Sequence, residues 1–240
     1  MKNIDEEESM LTINQLTKKF GKLLAVDQVD LSIPDGSVAI LLGPNGAGKS
    51  TVIKSIAGLL RYDGSITIQN LPARTVEAKK LFAYVPELPA LYDNLTVREH
   101  LTFISKAYGT SGEEDYIEYL LERFELLDKQ DKLGNELSKG MMQKVSLCCA
   151  LAIKPKVILL DEPMVGLDPK AIKELKEVVL ELKEDGVTVL ISTHMLEMVK
   201  ELWDVMFVMN QGKILATYTK EQAKHQDIEE LFFQVTGGEV

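Results

Sequence analysis

The chain has 240 residues, of which 45% are hydrophobic and 27% charged, and its formal net charge at pH 7 is -10. This balance is typical of a globular protein that buries a sizeable core, whereas the negative charge argues against a nucleic-acid-binding surface. The longest apolar run, residues 145–153, is half as long as the roughly 18 residues that a membrane-spanning helix needs.

The first residues and the two cysteines indicate the cellular compartment in which the protein works. Residues 1–8 are acidic and lack the basic and apolar regions of a secretory signal peptide. Cys148 and Cys149 are adjacent inside an apolar helical run, so they are poor partners for a disulfide bond. We therefore expect a protein of the reducing cytoplasm without a disulfide partner.

The first part of the chain is rich in short β-type runs. Residues 29–33 and 65–68 are predicted as strands, and residues 62–64 carry turn chemistry. The continuous apolar run 38–42 predicts a buried strand, and residues 51–56 predict a helix after it that begins near Lys49.

The stretch 43–51 joins this strand to this helix and has the spacing of a phosphate-binding loop. Its glycines let the backbone turn through positive φ and aim several N–H groups at one anion, and the helix start adds its positive dipole end. Lys49 can reach the β- and γ-phosphates of a nucleoside triphosphate, and the Ser50 hydroxyl can bind Mg²⁺. The alternative is a glycine-rich turn before an ordinary helix. The residues of the predicted loop are Gly43, Pro44, Asn45, Gly46, Ala47, Gly48, Lys49, Ser50 and Thr51.

Residues 88–152 have a helical pattern. Residues 96–99 form a capping box that opens a helix with Leu101, Ile104 and Ala107 on its apolar side.

A second helix start with free N–H groups is predicted at Ser138. Ser138 is a good N-cap for a helix that runs to Ala152, and Gly140 leaves the first turn bare. Such a start can bind an anion. The alternative is a capped core helix without a ligand.

In the last third of the chain, strands and helices alternate at residues 157–160, 169–184 and 187–191, which predicts a parallel sheet covered by helices. The first of these strands delivers Asp161 and Glu162 at its carboxyl end, where open α/β sheets bind ligands. Asp161 would hold Mg²⁺ through a water, and Glu162 would polarise an attacking water as general base. The alternative is a strand that ends at two solvated acids.

His194 follows the apolar run 189–193 and so lies at another strand's carboxyl end, near the predicted phosphates. This position predicts a role at the phosphates. The alternative is a hydrogen-bonded histidine that caps the next helix.

These motifs, in this order, resemble the ATP-binding cassette (ABC) proteins, the motor subunits of ABC transporters, and the resemblance covers residues 11–237. It implies an α/β fold of the P-loop NTPase type, with a parallel sheet core, an antiparallel β subdomain and an inserted α-helical subdomain. A single domain is expected, divided into a catalytic core, a helical subdomain and a helical tail. The expected boundaries are 10–87 and 153–220 for the core, 88–152 for the helical subdomain and 221–240 for the tail.

Further site residues follow from the resemblance. Phe20 looks like the aromatic that stacks on adenine, and Glu87 lies where most members have a glutamine that contacts the metal. Asp168 lies in the segment that resembles the D-loop. The resemblance implies ATP and Mg²⁺ as ligands. The implied catalytic residues are Lys49, Glu162 and His194, and the implied metal ligands are Ser50, Glu87 and Asp161.

The stretch 137–143 resembles the signature motif of the family. The resemblance implies that Ser138, Lys139 and Gly140 contact the γ-phosphate held by a second cassette, either a copy of this chain or a paralogue. Lys139 and Met141 stand where Gly and Gln are commoner.

The resemblance implies an ATPase that lies on the inner face of the cell membrane, bound to integral membrane permease subunits through the surface of residues 87–100. The stretches 86–99 and 227–237 are similar to exporter-type cassettes. Two alternatives remain at this point: a soluble cassette of another machine, such as iron–sulfur cluster assembly, and a regulatory cassette that binds ATP but hydrolyses it weakly.

Overall fold

The computed structural model describes residues 9–110, 114–196, 202–223 and 228–236. In these ranges the strands are β1 (Ser9–Phe20), β2 (Leu23–Pro34), β3 (Val38–Leu42), β4 (Asp63–Ile68), β5 (Leu71–Pro72), β6 (Phe82–Val85), β7 (Val157–Asp161), β8 (Thr188–Thr193), β9 (Val205–Asn210) and β10 (Lys213–Thr219). The helices are α1 (Lys49–Ile56), α2 (Val76–Lys79), α3 (Val97–Tyr108), α4 (Glu114–Arg123), α5 (Lys139–Ala152), α6 (Pro169–Glu184) and α7 (Ile228–Thr236).

The central sheet has the strand order β10-β9-β3-β8-β7-β6. From β9 to β6 all neighbours run parallel, whereas β10 at the edge is antiparallel to β9. Every residue of β3 and of β7 is buried, because helices or a second sheet cover both faces. This is why both strands read as continuous apolar runs, and both predicted strands are confirmed.

The two faces of the central sheet belong to two different cores. Val38, Ile40 and Leu42 of β3 pack into a core with the helices α3 to α6. Ala39 and Leu41, which point the opposite way, pack into a core shared with α1 and with a second, antiparallel sheet of order β2-β1-β4-β5. The carboxyl ends of the parallel strands therefore lie between these two layers.

The helical part of the molecule is inserted between two neighbouring strands of the central sheet, β6 and β7. Its helices α3, α4 and α5 pack on one another, and α5 also contacts β6. The predicted α/β class, with its parallel core, antiparallel β part and inserted helical part, is confirmed.

Helix α3 shows one confirmed prediction and one that is wrong. The capping box of Thr96 and Glu99 is present, with both hydrogen bonds formed. Ala107, predicted on the apolar side, is exposed, whereas His100 and Ser105 are buried. These two polar side chains tolerate burial because their hydrogen bonds are satisfied; both ring nitrogens of His100 bond to backbone atoms.

The stretch 62–64 is not the simple turn that its composition predicts. Strand β4 begins at Asp63, and Gly64 has a φ of 97°. A Cβ on Gly64 would lie 2.5 Å from the backbone oxygen of Gln15, where the pairing of β1 with β4 is irregular. Glycine is needed here because two backbones meet at a bulge.

The remaining predicted elements are present, although the run 29–33 is only the last part of the longer strand β2 and the run 65–68 lies within β4. The helix after Ser138 and the helix 169–184 have the predicted bounds, whereas the strand predicted at 187–191 spans Thr188–Thr193. Helix α7 lies in the predicted tail, whose residues 224–227 and 237–240 lie outside the described ranges.

Candidate nucleotide-binding site

The loop between β3 and α1 is shaped by close backbone packing. A Cβ on Gly43 would lie 2.1 Å from the backbone oxygen of Met209, and Gly48 has a φ of 107° with the backbone oxygen of Ala25 only 2.6 Å from its missing Cβ. Helix α1 then begins at Lys49 with no side chain capping its first N–H groups. Those free donors and the helix dipole make the loop a site for an anion.

The turn between β9 and β10 packs against this loop and is hydrogen-bonded to it. Ala47 accepts a hydrogen bond from Gly212 N at 2.9 Å through its backbone oxygen, and Gly212 O accepts one from Asp27 N at 2.8 Å. Together with Met209 behind Gly43, this turn fixes the loop against both sheets. The loop is therefore held by residues distant in sequence.

An open cavity of about 700 Å³ lies above the loop. Ten of the eighteen predicted site residues line it, and they come from five separate stretches of the chain. The predicted residues on its wall are Phe20, Asn45, Gly46, Gly48, Lys49, Ser50, Thr51, Glu87, Glu162 and His194. Gly43, Pro44 and Ala47 belong to the same loop but do not line the cavity.

Lys49 is 4% exposed and makes three close contacts. Its Nζ donates to the backbone oxygens of Gly43 and Pro44 at 2.8 and 3.0 Å. The same Nζ lies 3.1 Å from Glu162 Oε1, an ion pair of two largely buried groups. These contacts direct the ammonium group into the loop, where a bound phosphate would approach.

Glu162 has an unusual backbone held by its neighbour strand. Its φ is 46°, in the left-handed region that non-glycine residues rarely adopt. Its N–H donates to both the backbone oxygen and Oγ of Ser192, each at 3.1 Å, and its Oε2 lies 3.0 Å from His194 Nδ1. A strained acid fixed by several partners is typical of functional sites.

Asp161, one residue earlier, lies beneath the cavity and is 1% exposed. Its Oδ1 accepts hydrogen bonds from Ser50 Oγ at 2.8 Å and Ser192 Oγ at 2.7 Å, and Tyr84 Oη lies 3.5 Å from its Oδ2. Burial, and after it the charge of Asp161, raises the pKa of the Tyr84 hydroxyl, so Tyr84 stays a donor at any physiological pH.

The oxygen donors around Asp161 fit Mg²⁺. Ser50 and Asp161 supply a hydroxyl and a carboxylate within 2.8 Å of each other, and Glu87 lies on the wall of the cavity above them. The described residues contain no cluster of three or more His, Cys, Asp and Glu side chains suited to a metal. Sparse protein donors suit Mg²⁺, which keeps waters and takes phosphate oxygens as further ligands.

The predicted signature contacts lie elsewhere. Ser138 caps α5 by accepting from Met141 N at 3.3 Å, and Asp168 caps α6 by accepting from Ala171 N at 2.9 Å. The Lys139 side chain passes over Gly166, where a Cβ would lie 2.9 Å from Lys139 Nζ. Within the part of the chain that the structure describes, these residues and Gly140 do not line the cavity.

Ser192 and Tyr84 contact Asp161 but were not predicted as site residues. Ser192 lies two residues before His194, and the strand register places it opposite Asp161. The available signal was its position at the carboxyl end of a strand next to β7. Tyr84 carried no comparable signal, because its contact with Asp161 depends on the pairing of β6 with β7.

The family model described as "ABC transporter" matches residues 26–165. The chain belongs to the ABC transporter family. The resemblance found from its motifs is thereby confirmed, and the cassette is an ATP-binding subunit of the ABC transporter class. Membership in this family of ATPases implies ATP hydrolysis.

Two curated relatives and one solved structure illustrate this membership. The cassette is 41% identical over 207 residues to the uncharacterized ABC transporter ATP-binding protein YhaQ of Bacillus subtilis, covering 85% of this chain and 69% of that protein. It is 36% identical to the lantibiotic transport ATP-binding protein SrtF of Streptococcus pyogenes, covering 93% and 96%. A solved ATP binding subunit of an ABC transporter matches with a TM-score of 0.87 and 34% identity, covering 95% and 100%.

None of the helices in the described ranges combines the length and hydrophobicity needed to cross a membrane.

Proposed function

We propose that this cassette hydrolyses ATP with Mg²⁺ and uses the energy to drive export through separate membrane subunits. The observation that carries the proposal is the meeting of Lys49, Glu162 and His194 on the wall of one cavity, with 3.1 and 3.0 Å between the successive charged or polar atoms. Phosphoryl transfer to water uses a cation at the phosphates and a group that positions the attacking water, and here the histidine lies where it can align that group.

The cavity divides into a base end and a phosphate end. Phe20, 46% exposed, offers its ring to adenine at one end, beside Leu23 and Leu24. At the other end, the free N–H groups of the loop and Lys49 Nζ would bind the β- and γ-phosphates. Asn45 and Thr51 complete this end of the wall.

Three residues would hold Mg²⁺: Ser50 directly, Asp161 through a water, and Glu87 from the cavity wall. When bound, the ion supplies positive charge that offsets the charge of the phosphate oxygens. The chain's own contribution is orientation, because Ser192 and Ser50 fix the Asp161 carboxylate from one side.

Glu162 is the proposed general base. Water attacks the γ-phosphorus, the bond to the β–γ bridging oxygen breaks, and Glu162 takes the proton that the water loses. His194 Nδ1 at Glu162 Oε2 keeps the carboxylate aligned, while Lys49 lies at Oε1. Because His194 is 39% exposed, it can also reach the γ-phosphate.

The exposed signature residues support a second cassette as partner. Ser138 and Lys139 are exposed and do not reach their own cavity, although α5 begins there with free N–H groups. In the proposed dimer, residues 138–140 and Asp168 of one cassette complete the ATP site of the other. The partner is a second copy or a paralogue.

A groove between the core and the helical part supports docking of a membrane subunit. It has a volume of about 340 Å³, and its wall includes Leu91, Tyr92, Phe103 and Tyr108. We place the cassette on the cytoplasmic side of the membrane, with a short segment of an integral membrane permease in this groove. Export is supported by the likeness to a lantibiotic transport protein.

The test of hydrolysis is Glu162→Gln, which removes the base but keeps size and hydrogen bonding. We expect turnover to fall about 10²–10⁴-fold while ATP binding survives, and the variant to accumulate as an ATP-bound dimer in size-exclusion chromatography. The matched control is Glu184→Gln, at the exposed end of α6, which should behave as wild type. Hydrolysis near the wild-type rate in the Glu162 variant would contradict the assignment.

A separate experiment tests the membrane partner. Native membranes are washed and incubated with the Glu162→Gln variant and ATP, then solubilised and affinity-purified. We expect an integral membrane protein in stoichiometric amounts. A cassette that stays in the supernatant would favour a machine other than a transporter, without affecting the ATPase assignment.

A further inference from the structure

Tyr84 lies on the edge strand β6 of the central sheet, next to β7. The two strands run parallel with Tyr84 opposite Leu159, and Asp161 follows two residues later. Because side chains alternate along a strand, Tyr84, Leu159 and Asp161 point to the same face of the sheet. This is the face that α1 and Ser50 cover.

The hydroxyl of Tyr84 faces the oxygen of Asp161 that the serines leave open. Ser50 and Ser192 both donate to Oδ1, at 2.8 and 2.7 Å, whereas Tyr84 Oη lies 3.5 Å from Oδ2. The three hydroxyls therefore hold the carboxylate from both sides. Without Tyr84, both remaining contacts act on a single oxygen, and the carboxylate can rotate about that oxygen.

We propose that Tyr84 is a positioning residue for the metal site: its hydroxyl orients the Asp161 carboxylate toward the Mg²⁺ that accompanies the nucleotide. This inference rests on the proposed function, because it assigns a metal role to Asp161. Partners that orient a metal ligand typically change metal affinity about 10–100-fold when removed. The contact with Tyr84 is long, so a weakening of about threefold to tenfold is expected.

The test is Tyr84→Phe, which removes one hydroxyl and keeps the ring. Mn²⁺ serves as the probe, titrated into the protein carrying one equivalent of ADP and followed by electron paramagnetic resonance. We expect Mn²⁺ affinity to fall about threefold to tenfold, with metal-free ADP affinity and the unfolding midpoint of the metal-free protein unchanged. The matched control is Tyr119→Phe, which removes a tyrosine hydroxyl from the exposed side of α4 and should leave Mn²⁺ affinity unchanged.

A second measurement shows whether Tyr84 acts through Asp161. In an Asp161→Asn background, Tyr84→Phe should have no further effect on Mn²⁺ affinity, because the group that it orients is gone. An additive loss, or unchanged affinity in the single variant, would overturn the inference. The proposed function fails by a different result: a wild-type cassette that does not hydrolyse ATP.

Discussion

The phosphate loop and the start of α5 are both predicted to contact ATP, but the fold treats them differently. The loop is built into the core: Lys49 is 4% exposed, and a Cβ on Gly43 would meet the backbone oxygen of Met209 at 2.1 Å. At the start of α5, Ser138 and Lys139 are exposed, and a Cβ on Gly140 would meet nothing within 4 Å.

This difference shows which half of the proposed site is pre-formed. The loop has its geometry because strands, a distant turn and the buried ion pair of Lys49 with Glu162 all constrain it before any ligand arrives. The start of α5 has only its local cap at Ser138. We infer that the start of α5 contacts ATP only when a second molecule is present. The geometry of one chain therefore supports ATP binding by the phosphate loop more directly than ATP binding by residues 138–140.

The largest expected effect comes from breaking each half separately. Lys49→Ala disables the loop, and Ser138→Arg blocks the start of α5 with bulk. Each variant alone should lose ATPase activity by at least about 10²-fold, because no intact composite site can form in either homodimer. Steady-state phosphate release measures this loss.

Mixing the two variants tests whether the halves come from different chains. A mixed dimer holds both lesions in one site and leaves the other site intact, so mixing should restore a fraction of wild-type activity. Where cooperativity requires two intact sites, ATP-dependent cross-linking of the mixed dimer should still occur. A mixture that shows neither ATPase activity nor cross-linked dimers would rule out the shared-site mechanism.

The next largest expected effect is on folding stability, and it is tested by comparing two glycine-to-alanine variants. Gly43→Ala forces a methyl group against a backbone oxygen, so we expect the free energy of unfolding to fall by about 3 kcal/mol or more. Gly140→Ala adds its methyl group to open space near the start of a helix, so stability should be unchanged or slightly raised.

Urea unfolding of both variants measures these changes in the free energy of unfolding. Equal losses would show that the start of α5 is as constrained as the loop. An ATPase loss in Gly140→Ala with full stability would instead indicate that its bare first turn serves a ligand.

The smallest expected effect is at Glu87, on the wall of the loop's own cavity. Glu87→Gln should retain ATP affinity and keep hydrolysis within about tenfold, or roughly 1.4 kcal/mol in barrier. The Mg²⁺ concentration for half-maximal activity should shift, because an amide replaces a charged oxygen donor. If the half-maximal Mg²⁺ concentration does not change, Glu87 lines the cavity without contacting the metal.

Elements with strong local signals were predictable from sequence. The run 38–42 has the continuous apolar pattern of a buried strand, and Ser138 marks the start of α5 through its side-chain cap. The phosphate loop belongs to the same group, because glycine spacing and helix start lie within a short stretch. Local physics decides each of these features.

Contacts that depend on strand register could not be predicted from the sequence. Ser192 meets Asp161 because β7 and β8 pair in one particular register, and Tyr84 meets Asp161 through β6 in the same way. Ala107 was misplaced for a related reason. Apolar periodicity does not predict the burial of His100, because that burial depends on hydrogen bonds to backbone atoms that are in place only in the folded chain.

The turn at Gly212, which bonds to Ala47, also bears on how the protein is made. A ribosome delivers the phosphate loop more than 150 residues before Met209 and Gly212, which hold it. The nascent loop therefore lacks its support during synthesis, because long-range contacts form only once both partners exist. We therefore expect nucleotide binding to become possible only once β9 and the turn after it have been synthesised.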